Sequence, residues 1–282
     1  MPDVIEKLGR SLIQYGKDSD RIYLMKLAPD DAPTILTRLE QLAEANDYGK
    51  LFCKVPAPVK EAFVQAGYRE EARIPRFFDG RADVVFMCRF RKPERAQVAD
   101  AQQAAITQTL ALAEEKRSSG SPATAANRPI RRLNEKDTPQ LAALYRTVFP
   151  SYPFPIFDEA YLRETMATHI RYFGAFDGNR LVAASSAETD PDARNAEMTD
   201  FATDPECRKQ GLAVALLWAM EADMKATGFT TLYTIARAVS VGMNVTFARC
   251  GYQFGGTLIN NTQISGCIES MNIWYKNVVP LN

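Results

Sequence analysis

Asp200-Phe201-Ala202-Thr203-Asp204-Pro205-Glu206-Cys207-Arg208-Lys209-Gln210-Gly211-Leu212-Ala213 is the stretch on which the fold turns. A strand runs into it from Asn195 and ends at Thr203. A proline-bearing turn follows, and Arg-x-x-Gly-x-Ala opens an apolar helix that reaches Thr227. The first backbone N–H groups of a helix have no internal partner, and the helix dipole favours negative charge there. Gly211 and Ala213 are small enough to let an anion such as a pyrophosphate approach that backbone, and Arg208 and Lys209 add positive charge. The spacing is neither the Gly-Lys-Ser/Thr of a P-loop nor Gly-x-Gly-x-x-Gly. Taken alone, Arg-x-x-Gly-x-Ala is also an ordinary helix start; its surroundings decide.

Before the stretch, Pro129 to Leu133 reads as a short strand, and Asp137 is placed to cap the helix of Leu141, Leu144, Tyr145 and Val148. Arg171 to Phe176 and Arg180 to Glu188 form a strand pair about Asp177-Gly178-Asn179. After it come a strand from Thr230 to Arg237, a helix from Gly242 to Cys250, and two closing strands. Strands joined by tight turns plus one βα crossover predict a mixed α/β sheet.

The chain divides near residue 120. Lys116 to Pro129 is small, polar and turn-forming, which predicts a flexible linker, and Ala- and Gln-rich Glu94 to Glu115 predicts a connecting helix. Three regions result: 1–92, a helix and linker over 93–128, and 129–282. The first alternates strand and helix: Ile22 to Leu27, the helix Ala32 to Asn46, Leu51 to Val55, a short helix to Ala66, then Arg73 to Phe78 and Val84 to Phe90. Its Phe63-Val64-Gln65-Ala66-Gly67-Tyr68 matches Phe247-Ala248-Arg249-Cys250-Gly251-Tyr252, and the strand order around the two agrees. A truncated duplicate explains both.

Composition bounds the function. The chain has 282 residues, and roughly 150 per domain gives two domains. Thirty-four basic and 34 acidic residues cancel, which argues against a chain built to coat nucleic acid or anionic lipid. No apolar run approaches the ~20 residues of a membrane span, and the start shows no secretory signal. Five scattered cysteines read as reduced thiols in a cytoplasmic chain. His169 is the single histidine, which leaves little room for a His-rich metal site or a Ser-His-Asp triad. No metal is expected.

The motif and its surroundings resemble the GNAT acetyltransferases, whose Gln/Arg-x-x-Gly-x-Gly/Ala lies between the fourth strand and the third helix. The resemblance covers about residues 129 to 277 and implies a central mixed, largely antiparallel sheet flanked by helices. A smaller, truncated domain of the same kind precedes it, without the motif. Glu197-Met198-Thr199-Asp200-Phe201-Ala202-Thr203, Gly242-Met243-Asn244, Ala45 to Lys50 and Ile74-Pro75-Arg76-Phe77-Phe78 resemble the β-lysine N-acetyltransferase branch. That resemblance spans nearly the whole chain. It implies transfer of acetyl from acetyl-CoA to the side-chain amine of β-lysine, giving Nε-acetyl-β-lysine, a compatible solute used in osmoadaptation.

By the same resemblance, the backbone after Arg208, through Lys209, Gln210, Gly211, Leu212 and Ala213, holds the pyrophosphate. Phe201, Ala202 and Thr203 meet the pantetheine arm, and an N–H there polarises the thioester carbonyl. Asn244 either caps its helix or touches that arm, and Phe247 stands where many members carry an acidic Tyr. Phe247 donates no proton, so the acid is another group, with Tyr152 and Tyr233 as candidates that otherwise simply pack, or a water, or is not needed.

A lysine-type amine, with a reference pKa of about 10.4, must lose a proton before attack. Asp200 and Glu197 are the candidate bases, and each is otherwise an ordinary strand carboxylate. Three apart on one strand, they face opposite sides unless a bulge intervenes; Asp200, nearer the motif, is the preferred base, with Glu197 next. Arg171, Arg237 and Arg76 are the candidate partners for an acceptor carboxylate. Two alternatives stay open: an acetyltransferase for protein lysines or other amines, and an acyl-CoA sensor without catalysis. A homodimer stays open as well.

Overall fold

The computed structural model describes residues 3–117, 128–152, 154–264 and 266–278. The first half contains β1 (Val4–Leu8), β2 (Ser11–Gly16), β3 (Arg21–Lys26), α1 (Ile35–Asn46), β4 (Lys50–Pro56), α2 (Lys60–Gln65), β5 (Arg69–Phe78) and β6 (Ala82–Phe90). A helix, α3 (Asp100–Lys116), leads towards the second half. That half contains β7 (Ile130–Arg132), α4 (Thr138–Val148), α5 (Glu159–Thr168), β8 (Ile170–Asp177), β9 (Arg180–Asp190), β10 (Asn195–Thr203) and α6 (Leu212–Ala226). It ends with β11 (Thr231–Arg237), α7 (Val241–Arg249), β12 (Gln253–Ile264) and β13 (Cys267–Asn277).

The 13 strands form one sheet, in the order β1-β2-β3-β4-β6-β5-β12-β13-β11-β10-β9-β8-β7. It is mixed and largely antiparallel; the parallel pairs are β3 with β4 and β10 with β11. Those are the two places where a helix, α1 or α6, carries the chain over one face of the sheet, as parallel neighbours require.

The first half has one core cluster and the second half two, and a fourth cluster joins the halves. Leu212, Leu216, Leu217, Met220 and Met224 bury one side of α6 on the sheet. Ile35, Leu39 and Ala43 do the same for α1 in the first half. At the junction Tyr23, Phe52 and Phe86 pack with Tyr233, Met271 and Ile273. Backbone contact there is close: β5 meets β12 at Ala72 and Gly256, and Gly256 has φ 137°. A Cβ at that glycine would collide with the Glu71 carbonyl oxygen and with Ala72, so a side chain is excluded on conformation and on space. Buried Lys50 also ties the halves, pairing with Glu71 and donating to the Ile259 carbonyl at 2.7 Å.

Several elements differ from the sequence expectation. The connecting helix begins at Asp100, because Pro93 to Ala96 forms a separate 3-10 turn. It is not a free spacer: Ile106, Thr109 and Ala113 are buried, and it packs against α7. Most of the expected linker, 118–127, lies outside the described residues. Strands β1 and β2 and helix α5 had no counterpart in the sequence reading. β1 is mostly exposed at the sheet edge, so its side chains carry little period-two signal.

Candidate active site

β10 and β11 run in parallel from Asn195 opposite Thr231 to Glu197 opposite Tyr233, and there the pairing stops. Both strands continue, β10 to Thr203 and β11 to Arg237, so a wedge opens between them. The backbone of β10 beyond Glu197 is bonded to β9 on one side and lacks a strand partner on the other.

β10 also bulges. Thr199 stands opposite Ser186 and Ala202 opposite Ala184, so three steps on β10 match two on β9. Asp200 takes up the extra residue with φ 54°, a left-handed conformation that a non-glycine residue adopts at a cost. The bulge reverses the alternation of side chains. Glu197 and Asp200 were expected on opposite faces; both line one cavity of about 430 Å³.

That cavity is walled by both halves. β3 and β4 supply Tyr23 and Lys54, the segment after α4 supplies Phe149 and Tyr152, and β9 supplies Glu188. Glu188 is the direct cross-strand neighbour of Glu197, so two carboxylates stand side by side. Burial pushes Glu197 up to about 7, with the charge of Glu188 adding to it and Lys54 and the Tyr233 hydroxyl opposing. Burial likewise raises Glu188, against the positive charges of Lys54 and His169. The Lys54 ammonium donates to the Tyr233 hydroxyl at 3.2 Å.

Asp200 is differently placed. One oxygen accepts from Ser186 Oγ at 2.5 Å, and the other accepts from the Tyr152 hydroxyl. Burial raises its pKa while these bonds hold it down. The phenols of Tyr152 and Tyr233 are both held well above their ordinary range, chiefly by burial. Neither is tuned to give up a proton.

The motif residues lie where the wedge meets α6. Gly211, φ 74°, is the N-cap of α6 and offers no side chain to its first N–H groups. Arg208, Lys209 and Gln210 are exposed beside it, Leu212 is buried in the core, and Ala213 is half-buried. Phe201 lines the cavity, Ala202 is buried and Thr203 half-buried. An uncapped, glycine-led helix start next to two surface cations suits a pyrophosphate, and the free edge of β10 suits an amide-bearing arm.

Two expected ligand contacts are corrected. Phe247 is 0% exposed, its ring edge-on to Phe201 at 5.6 Å and to Tyr252 at 4.9 Å. It is a core residue, with no surface to offer a ligand. Asn244 is also fully buried: its Oδ1 accepts from Asn272 and Trp274, and its Nδ2 donates to the Arg237 and Ser240 carbonyls. Its hydrogen bonds are spent on holding the start of α7 to the sheet.

Of the three arginines expected near an acceptor carboxylate, Arg237 alone lines the cavity, and it is paired with Glu269 at 2.7 Å. Arg171 pairs with Asp223 away from it. Arg76 lends its backbone N–H to Asp83 and is also outside the lining. Glu188 and Lys54 were missed. Lys54 carried a signal, a lone charge in the apolar run Leu51 to Val55; Glu188 carried none, because only strand register sets it beside Glu197. Among the described residues no group of three His, Cys, Asp or Glu side chains could hold a metal.

The acetyltransferase (GNAT) family pattern matches residues 138–252, which include the wedge, the bulge and the start of α6. A β-lysine N(6)-acetyltransferase of Methanococcus maripaludis is 37% identical over 98% of this chain and 99% of its own. The N-acetyltransferase YodP of Bacillus subtilis is 42% identical over 53% of this chain and 54% of its own. A β-lysine N(6)-acetyltransferase of Methanosarcina mazei is 38% identical over 52% and 54%. Likeness along the entire length of one acetyltransferase, together with the family match across the wedge, makes this chain an N-acetyltransferase of the GNAT family.

Proposed function

We propose that this acetyltransferase moves the acetyl group of acetyl-CoA to the N6 amine of β-lysine. The observation that carries the reading is the cavity: walled by both halves and lined by Glu188, Glu197 and Asp200 together with Lys54, Arg21 and Arg237. Its carboxylates attract an alkylammonium, and its volume suits a small-molecule acceptor. The substrate name comes from the relative that matches end to end.

The first-turn N–H groups of α6, from Gly211 to Ala213, hold the pyrophosphate, with Arg208, Lys209 and Gln210 beside them. The arm lies along the free edge of β10, and an N–H at the bulge faces the thioester oxygen as charge develops there. Glu197 takes the proton of the acceptor ammonium, since a base of about 7 is matched to neutral pH. The freed amine attacks the carbonyl carbon, the C–S bond breaks, and the second N–H proton leaves to the thiolate or to water. Asp200 holds Tyr152 and shapes the bulge; both its oxygens already accept hydrogen bonds. The product would serve as a compatible solute in the cytoplasm.

Thiol release from acetyl-CoA with β-lysine, α-lysine and a lysine peptide as separate acceptors tests the reading. Release fastest with β-lysine is expected. Release with the peptide alone would overturn the substrate but keep the chemistry.

A further inference from the structure

The cavity has a second polar end, away from the carboxylates and built across the junction of the halves. Gln14 of β2, Arg21 of β3 and Asn261 of β12 line it and are 1%, 4% and 1% exposed. Arg21 brings a cation into this buried place with neutral partners only. It donates to the Asn261 carbonyl at 2.7 Å, to Thr262 Oγ1 at 2.8 Å and to Gln14 Oε1 at 3.2 Å. It forms no ion pair among the described residues; Asp3 supports its charge only through space, and Arg95 opposes it. Burial pushes the guanidinium down to about 10, so it is still charged at neutral pH. A buried cation that pairs directly with no carboxylate among the described residues is costly enough to need a reason.

Three polar atoms at this end have no hydrogen-bond partner: Arg21 Nε, Gln14 Nε2 and Asn261 Oδ1. The two amides are oriented by their other atoms. Gln14 Oε1 accepts from Arg21, and Asn261 Nδ2 points to Thr262 Oγ1 at 3.4 Å. What is left over is two donors, one of them cationic, and one acceptor. That set complements an amino-acid head, whose carboxylate needs donors and whose ammonium needs an acceptor.

The spacing agrees. Arg21 and Tyr23 alternate on the cavity face of β3, roughly 6.6 Å apart along the strand. Tyr23 shares a buried cluster with Tyr233, and Arg21, Tyr23 and Glu197 line the same cavity. Six bonds separate N6 of β-lysine from its carboxylate carbon, roughly 7 Å when extended.

We propose that Gln14, Arg21 and Asn261 form the subsite for the head of the acceptor. Arg21 and Gln14 hold its carboxylate, and Asn261 accepts from the ammonium that is not acetylated. The inference rests on the reading that the acceptor is an amino acid with a second amine. It gives the first half, which lacks the cofactor motif, the task of choosing the acceptor.

Steady-state kinetics with two pairs of acceptors tests this: β-lysine against 1,4-diaminopentane, and α-lysine against 1,5-diaminopentane. Each diamine is the acid without its carboxylate. The wild-type enzyme should favour the acid in kcat/KM by roughly 30- to 100-fold, the worth of a buried charge-assisted pair. Arg21→Met should collapse that ratio towards one, mainly through KM, and Gln14→Leu should reduce it roughly 5- to 10-fold. Arg21→Lys should recover part of it. An unchanged ratio in both variants, an equal loss on acid and diamine, or no preference in the wild-type enzyme overturns the subsite. If α-lysine is the better acid and its advantage still depends on Arg21, the subsite stands and the β-lysine reading fails.

Discussion

The two halves follow one course, and their closest correspondence lies far from the chemistry. β3, α1, β4, α2 and the β5–β6 hairpin answer to β10, α6, β11, α7 and the β12–β13 hairpin, in mirrored order about the β5–β12 junction. Gly67 and Gly251 end the second helix with φ 83° and 82°. Tyr68 N–H reaches back to the Phe63 carbonyl at 3.0 Å, and Tyr252 N–H to the Phe247 carbonyl at 3.1 Å. The aromatic pairs meet edge-on in both, at 5.3 and 4.9 Å.

They part at the parallel strands. β3 pairs with β4 through Leu24 and Cys53 and ends at Lys26, bulging against β2 on its other side; β10 leaves β11 after Glu197, bulges against β9, and runs on to Thr203. Before the crossover helix both halves have a proline-led 3-10 turn, Pro29–Asp31 and Pro205–Cys207. The second continues into Arg208, Lys209 and Gly211. The first carries Asp30 and Asp31, with Asp31 locked by Ser11 at 2.7 Å. An acidic turn repels a pyrophosphate, and a strand that ends at Lys26, just past its last pair at Leu24, leaves little free edge for the arm. One framework thus yields a catalytic half and a half that walls the acceptor cavity, through the length of one strand's free edge and the charge of one turn.

The sharpest way to break the comparison is at the base. Glu197→Gln should lower kcat by roughly 10²- to 10⁴-fold with little change in acetyl-CoA affinity, read by stopped-time thiol release. An unchanged rate would move the base to Glu188 or to water. Next is the helix start. Gly211→Glu should weaken acetyl-CoA binding at least about 100-fold in calorimetry, by filling the site with a charge at φ 74°. The matching change in the first half, Asp31→Lys, should create no second cofactor site, because β3 ends at Lys26, too soon after its last pair with β4 to offer an edge for the arm.

The third expectation concerns pH. The wild-type acid limb of kcat/KM should fall near pH 7, where Glu197 takes up its proton. Glu188→Gln removes a like charge that raises Glu197, so the limb should move to lower pH; a limb that stays in place would uncouple the pair. Stability should run the other way. Glu197 binds its proton more tightly folded than unfolded, so its contribution is complete below about 4.5, its ordinary value, and is lost as pH rises through about 7. Wild-type Tm should therefore fall from pH 6 to 8, and Glu197→Gln should raise it at pH 8 by roughly 2–8 °C. The smallest effect is at the missing phenol. Phe247→Tyr should not raise turnover, since that ring is sealed in the core. A rise in kcat would show that the core opens to the thiolate.

By itself the sequence determined the elements with strong local causes. The apolar side of α6, the Phe-x-x-x-Gly-Tyr helix ends and the Arg-x-x-Gly-x-Ala start were legible because each depends on residues within a turn or two of one another. From these followed the sheet class, the likeness of the halves and the cofactor motif. Only the tertiary structure decided that both halves share one sheet, that Asn244 and Phe247 are spent inside the core, and that Glu197 and Asp200 look the same way. The last depends on one extra residue between Thr199 and Ala202, and a one-residue slip turns every later side chain over while leaving the composition unchanged. Glu188 beside Glu197, and Arg21 beside Asn261, are neighbours through strand register and a junction 240 residues apart in sequence. No local pattern encodes a contact between segments that meet only after both have folded.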